Sequence, residues 1–291
     1  MSLDTVIEMF PNVNADTFGA IPAVTDFPIA YEPTKMPDKR YVLNANTGTY
    51  LGIVGRNFTC VDHTEFFTRV MDTVRTNLTV HDLKDARVRW QSGRHGAFAL
   101  MDVTLPNVTY KVTTKRHQVD VAQRIVALHG VDGLTSNQSY HGAIDAFCTN
   151  GMISGDWERV RRKNTSGFRL DNFITELEGS KAEFHAHGRK LQTWADKQLD
   201  FTEVKEALPS IVGGERKADK LTALYLNEAN TRGHNVFALY SAFTNYSSYA
   251  DHRNGFELRA SDNDNAAMTM FSREQAVTKW VSSPAFAALV A

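Results

Sequence analysis

Two cysteines in 291 residues, Cys60 and Cys148, are too few and too far apart to build a disulfide framework or a zinc cluster. They read as buried, reduced thiols, which fits a cytoplasmic protein. No apolar run approaches the ~18 residues that a membrane-spanning helix needs, so a membrane partner is not expected. The opening stretch Met1–Val13 carries an early acid, Asp4, and no basic region ahead of an apolar one, so it does not read as an export signal. The nucleotide-binding motifs are missing too: there is no G-x-x-x-x-G-K-[ST], and no G-x-G-x-x-G opens a helix after a strand. A G-x-S-x-G elbow is also absent. An NTPase, a dinucleotide enzyme and an α/β-hydrolase are thereby set aside, and no cofactor is expected. No repeat of 20–50 residues and no low-complexity tract appears.

The chain has an apolar share of 42%, 17 phenylalanines and a charged share of 22%, the profile of a globular protein with a substantial core. Its formal charge is −1, but the charge is segregated. Residues 84–170 hold 13 Lys and Arg against 7 Asp and Glu, so the rest of the chain carries the balancing acids. The basic positions alternate with aromatic and strand-forming residues: Arg87, Arg89, Trp90, Arg94, His95, Phe98, Tyr110, Lys111, Lys115, Arg116 and His117. Positive charge with π-faces nearby suits a polyanion with exposed bases.

Five of the eight prolines fall in residues 1–40, which reads as an extended arm wrapping a body or a neighbouring subunit. Residues 41–169 read as a basic, β-rich core. Arg40–Asn44 and Tyr50–Val54 flank a turn and form a hairpin. Asp62 and Glu65 cap a helix through about Asn77, with Phe66, Phe67, Val70, Met71 and Val74 facing a sheet. Strands follow at Ala86–Gln91, Ala97–Leu105, Val108–Thr114 (after a Pro-Asn turn) and Asp120–Leu128. Gly93-Arg94-His95-Gly96 is a hairpin tip. Residues 170–291 read as helical. Phe173, Ile174, Leu177, Phe184, Leu191 and Trp194 form a seam on one long helix over about 170–208, or on two broken at Gly188. Pro209 and Gly213-Gly214 end it, and helices follow at Lys217–Asn227, Asn235–Tyr249 and Ser272–Trp280. Strands first and helices after give an α+β fold, an antiparallel sheet with packed helices and a helical C-terminal half.

Few residues suggest chemistry. His185 and His187 lie about 200° apart on a helix and cannot grip one ion; they read as a polar face. Asp262 and Asp264 suggest a loop with Asx turns rather than a calcium or nuclease site, because Gly and Glu do not follow at EF-hand spacing. Cys148 with His141 reads as a buried thiol, since no activating group is identifiable. Tyr240, Phe243, Tyr246 and Tyr249 recur at three-residue steps and read as a packed helix face. Trp90 reads as core, with Val88, opposite an outward pair Arg87 and Arg89. Arg159, Arg161, Arg162 and Lys163 make the densest basic run, either a solvated loop face or a set of phosphate contacts.

Gly93-Arg94-His95-Gly96, His129-Gly130-Val131-Asp132-Gly133, Ala146-Phe147-Cys148-Thr149-Asn150-Gly151-Met152, the basic stretch Arg159–Asn164 and a helix ending in Tyr249-Ala250-Asp251-His252 occur in that order. Over roughly residues 40–255 this resembles the phage/plasmid-like family called domain of unknown function 932. The resemblance implies a phage or mobile-element origin and no particular reaction. The order of hairpin, helix, antiparallel strands and helices also resembles the architecture of phage single-strand annealing proteins of the RecT/Redβ type. That resemblance implies a basic groove holding a strand backbone, and assembly into rings or filaments.

Together these features predict a phage-type, ATP-independent protein that binds and anneals single-stranded DNA in the host cytoplasm as a homo-oligomer. Arg87, Arg89, Arg94, Lys115, Arg116, Arg159, Arg161, Arg162 and Lys163 are the expected phosphate contacts. No catalytic residue and no metal is expected. The alternatives are a metal-dependent nuclease acting near Asp262, Asp264 or the histidines, and a non-enzymatic phage structural or host-interaction protein.

Overall fold

The computed structural model describes residues 5–13, 28–145, 151–152, 160–162, 180–248, 252–253, 256–257 and 266–291. In chain order the strands and helices begin with β1 (Thr5–Val13), β2 (Ile29–Pro33), β3 (Lys39–Asn44), β4 (Tyr50–Gly55), α1 (His63–Asn77) and α2 (Val80–Leu83). The long strands β5 (Ala86–Gly93), β6 (Phe98–Thr113), β7 (Gln118–Gly130) and β8 (Asn137–Asp145) follow, then the short β9 (Gly151–Met152) and β10 (Val160–Arg162). The helical half holds α3 (Ser180–Asp196), α4 (Phe201–Val212), α5 (Glu215–Arg232) and α6 (Val236–Ser248). A two-strand ribbon, β11 (His252–Arg253) and β12 (Phe256–Glu257), precedes α7 (Ala266–Val281) and α8 (Pro284–Val290). The fold is α+β, as the order of patterns predicts.

The main sheet runs β1-β5-β6-β7-β8-β10, with β9 also on β8, and every neighbour is antiparallel. Paired residues across an antiparallel ladder share a face. The register therefore groups Val88, Trp90, Met101, Val103, Ile125 and Ala127 on one face, and all are buried. α1 packs there, its Phe67 ring 5.2 Å from Trp90 in edge-to-face contact. Asp62 starts α1 as the sequence predicts, its carboxylate accepting from the Glu65 amide at 2.7 Å. A second, three-stranded sheet, β2-β3-β4, contains the predicted hairpin. Its Val42, Leu51 and Val54 pack on Ala97 and Val131 at one end of the main sheet. Within residues 1–40, expected as an irregular arm, two segments are strands: β1 along β5 and β2 along β3.

The helical half has its own aromatic centre. Trp194 meets Tyr240 at 5.1 Å and Phe286 at 5.7 Å, and Trp280 meets Phe243 at 5.4 Å. Tyr240 and Phe243 are fully buried, so this part of the aromatic stripe is the packed face the spacing implies. Asn235 caps α6, accepting from the Ala238 amide at 2.8 Å.

Three local expectations are corrected. The Pro-Asn turn after Leu105 is a bulge inside one 16-residue strand, β6. Asn107 donates to the Lys84 carbonyl at 2.6 Å and to that of His81 at 3.2 Å, holding the irregularity from outside so that pairing resumes at Thr109. The seam expected to run over 170–208 is divided between α3 and α4 at residues 197–200; its part at 170–179 lies outside the described residues. The divide arises because Asp200 caps α4, accepting from the Thr202 and Glu203 amides, while the Leu199 amide bonds to the His234 carbonyl at 3.0 Å. Gly188 does not break α3. It lies inside the helix directly against the Tyr110 ring, where any Cβ would collide. Gly188→Ala is accordingly expected to destabilise the protein by about 1–3 kcal/mol. Urea unfolding checks this, and adding Tyr110→Ala should recover part of the loss.

Candidate nucleic-acid interface

The face of the main sheet opposite Trp90 decides where the cations stand. By register it carries Arg87 and Arg89 of β5, Asp102, Thr104, Thr109 and Lys111 of β6, and Asp120, Arg124 and Val126 of β7. The face has two regions. Around Leu100, Val126, Leu128 and Arg124 it is buried. Toward the β6–β7 turn it opens: Arg87, Thr109, Lys111, Thr113, Gln118 and Asp120 are exposed. Behind that open region, Val112, Val119 and Val121 are buried, and Gln192 of α3 bonds both the amide and the carbonyl of Thr113 at 2.9 Å. The open face thus has a rigid backing.

The turn at its far end is built by one side chain. Thr114 Oγ1 accepts from the amides of Arg116 and His117 and donates to the His117 carbonyl. This holds Lys115 and Arg116 outward, both exposed; Arg116 also donates to the Asn230 carbonyl of α5 at 3.5 Å. Lys84, at the end of α2, is exposed as well. Arg87 and Lys111 stand on this face by register, Lys115 and Arg116 on its turn, and exposed Lys84 at the end of α2; among the described residues of these segments the exposed acids are Asp85 and Asp120. Asp120 stands directly across from Lys111.

The remaining candidates lie outside the open region. Arg94 lies at the hairpin tip, at the opposite end of β6 from Lys115, roughly 40 Å along the β6–β7 ladder. Its guanidinium pairs with buried Asp132 at 3.2 Å, reaches Thr135 at 3.4 Å and stacks over Phe98 at 5.0 Å. The tip forms as expected, with Arg94 at φ 50° and His95 at φ 61° in the left-handed region. Arg89 is half-buried and stands in register between Glu8 and Asp102. Arg161 and Arg162 belong to β10, opposite Gln138 and Asn137, about 19 Å across the sheet from β5. The pairing puts Arg161 at a register position on the Arg87 face and Arg162 on the other. Arg159 and Lys163 lie outside the described residues, as do Cys148, Asp262 and Asp264. Arg124, which the sequence reading did not single out, is a buried clamp: both Asp102 oxygens at 2.6 and 2.8 Å, and Glu274 of α7 at 2.6 Å. Its charge is spent inside the fold.

A second cluster also escaped the sequence reading, although its His129-Gly130-Val131-Asp132-Gly133 turn stood out as a motif. His63 Nε2 lies 2.8 Å from the Gly96 carbonyl and must donate to it. Its Nδ1 then accepts from His129 Nδ1, 2.7 Å away, leaving His129 Nε2 an acceptor 3.5 Å from the Cys60 thiol, which also lies 2.9 Å from the Val61 carbonyl. Both imidazoles are fully buried and neutral: burial pushes His63 down to about 4, and burial with the neighbouring His63 pushes His129 well below its usual value. Burial, then the Asp62, Asp132 and Glu65 carboxylates, push the Cys60 thiol up, so it is held as a thiol rather than a thiolate nucleophile. Beside it, burial pushes Tyr31 up to about 12. Among the described residues no group of three His, Cys, Asp or Glu side chains could hold a metal ion. His187 is buried and His185 exposed, on different sides of α3.

A family model described as Domain of unknown function (DUF932) matches residues 50–287. No curated protein and no solved structure matches. Among the described residues, no helix is long and apolar enough to cross a membrane.

The buried imidazole pair predicts an acid-sensitive fold. Each histidine binds its proton more weakly folded than unfolded, so the unfolded chain holds more protons between pH about 6.5 and 4, and stability falls as pH drops through that window. The slope contributed by each imidazole is up to about 1.4 kcal/mol per pH unit. Urea midpoints at pH 7, 5.5 and 4.5 measure it, and His129→Gln should flatten the dependence.

Proposed function

This chain belongs to the DUF932 family, whose description assigns no activity, and we propose that it is an ATP-independent protein that binds single-stranded DNA and promotes its annealing, of the kind phages use in recombination or replication. The observation that carries the proposal is the open cationic face formed by Arg87, Lys111 and the Lys115-Arg116 turn, backed by α3, with exposed Lys84 at the end of α2. Side chains of this type neutralise phosphates and release condensed counterions, a driving force that does not depend on sequence. A strand held by its backbone along a rigid surface keeps its bases available for pairing, so annealing needs neither nucleophile nor metal. Arg89 would support the track from the same strand. The basic run Arg159, Arg161, Arg162 and Lys163 would make separate phosphate contacts, because Arg161 stands in register with the covered part of the face, at Gln138 and Leu128, and Arg162 on the other face. Assembly of several subunits into a ring or filament would join these short tracks into one long enough to align two strands.

No observation favours the nuclease alternative: Asp262 and Asp264 lie outside the described residues, and His185 and His187 stand on different sides of α3. The architecture agrees with the annealing proposal in one general respect: toward the β6–β7 turn the antiparallel sheet exposes part of one face while α3 supports the other, which suits strand binding without dictating it.

The proposal is tested by titrating a labelled 30-mer at several salt concentrations. With five phosphate contacts, log affinity falls with log salt at a slope of about −3.5. The triple variant Arg87→Ala, Lys111→Ala, Lys115→Ala should reduce the steepness by about 2 units. Loss of annealing in the triple variant with unchanged thermal unfolding supports the assignment; unchanged affinity and slope rule it out.

A further inference from the structure

The small sheet has a face that nothing so far has used. Its inner side, Val42, Leu51 and Val54, is buried. On the outer side the register places Tyr41 opposite Ile53 and Leu43 opposite Tyr50. Tyr50 is 53% exposed and Ile53 51% exposed, and the Tyr41 and Tyr50 rings meet edge to face at 5.9 Å. Two neighbouring tyrosines on the open face of an antiparallel sheet present ring surface to solvent at a fixed spacing. Sheet strands hold such rings with little freedom to lose on binding.

The charge around this face identifies what covers it. Lys39 shares the face and strand of Tyr41, and Lys35, Arg40 and Arg56 are exposed around the sheet. Glu32, in register with Tyr41, and Asp38, 3.9 Å from Lys39, are the acids. Cations exceed acids by two in residues 28–56, in a chain whose overall charge is −1. Aromatic rings interleaved with basic side chains suit unpaired bases on a phosphate backbone, because every base has a π-face and stacking tolerates any sequence. Besides the two rings, the apolar side chains that the register puts on this face are Leu43 and Ile53, so ring surface and charge rather than apolar area set its chemistry.

We infer that the outer face of β2–β4 is a base-stacking platform, with Tyr41 and Tyr50 taking unpaired bases and Lys39 the adjacent phosphate. The inference rests on the nucleic-acid reading above and adds to it: the Arg87 face grips backbone only, whereas this face selects single strands, because a duplex keeps its bases inside. The two sites lie at different places along the main sheet, since β4 packs by the hairpin tip and Lys115 stands at the far end of β6.

The test compares a mixed-sequence 30-mer with an abasic backbone of the same length, using the full chain and the variants Tyr50→Ala and Tyr50→Phe. Tyr50 is largely exposed, so thermal unfolding of both variants should match the parent. Tyr50→Ala is expected to weaken binding of the base-bearing strand by about 5- to 150-fold, the range for losing one stacked base, and to leave abasic binding unchanged; Tyr50→Phe keeps the parent affinity. Equal affinity of parent and Tyr50→Ala for the base-bearing strand overturns the platform while leaving the cationic face intact. Parent protein that binds neither polymer overturns both. Self-association lost in Tyr50→Ala, with oligonucleotide affinity unchanged, assigns the face to a second copy of the chain and overturns the inference.

Discussion

Alternation along β5 and β7, and along β6 on either side of its bulge, is the constraint on which everything else depends. Successive side chains point to opposite faces, so burying Val88, Trp90, Met101 and Val103 against α1 forces Arg87 and Arg89 to the other side. The apolar face has no slack: shifting β5 by one residue would drive two guanidinium groups into the aromatic core. The cationic face is therefore a by-product of core formation before it is anything else, and its chemistry comes from which residues occupy the outward positions.

That face does not carry a uniform charge. Where it is covered, positive charge is cancelled: Arg124 by Asp102 and Glu274, and Arg94, at the tip, by Asp132. Where it is open, exposed cations outnumber exposed acids among the described residues, on a surface backed by α3. A buried, paired arginine fastens elements together, as Arg124 fastens α7 to the sheet, and breaking such a pair leaves an uncompensated charge inside the protein. The same residue type in the same stretch thus does two different jobs, separated only by burial and by the carboxylates within reach.

Much of the fold was legible in the sequence because it follows from short-range patterns. The α1 cap at Asp62, the β3–β4 hairpin, the Arg94-His95 tip and the helices around 217–227 and 235–249 each depend on residues close together in the chain. What was not legible depended on contacts from far away. Gly188 reads as a helix breaker until Tyr110, 78 residues earlier, occupies the space its missing side chain leaves. Pro106-Asn107 reads as a turn until Asn107 is seen bonding the α2 end. Of the candidate contacts, Arg87 and the Lys115-Arg116 turn needed only alternation and turn chemistry to be placed outward. Arg94 could not be separated from them, because nothing local announces Asp132 as its partner, 38 residues away. The Cys60–His129–His63 chain was invisible for the same reason: Cys60 and His63 lie three residues apart, but His129, which joins them, comes from β7, 66 residues beyond His63.

Lysine footprinting tests the central claim most directly, because it reads the proposed surface without altering it. Acetylation of the folded protein, with and without a saturating single-stranded oligonucleotide, compares each lysine with itself. The account predicts that Lys84, Lys111 and Lys115 lose reactivity when the strand is bound, while Lys205 and Lys220, exposed on the helical half, keep theirs. Protection of the helical lysines with Lys111 and Lys115 unchanged, or no protection at any of them, would contradict it.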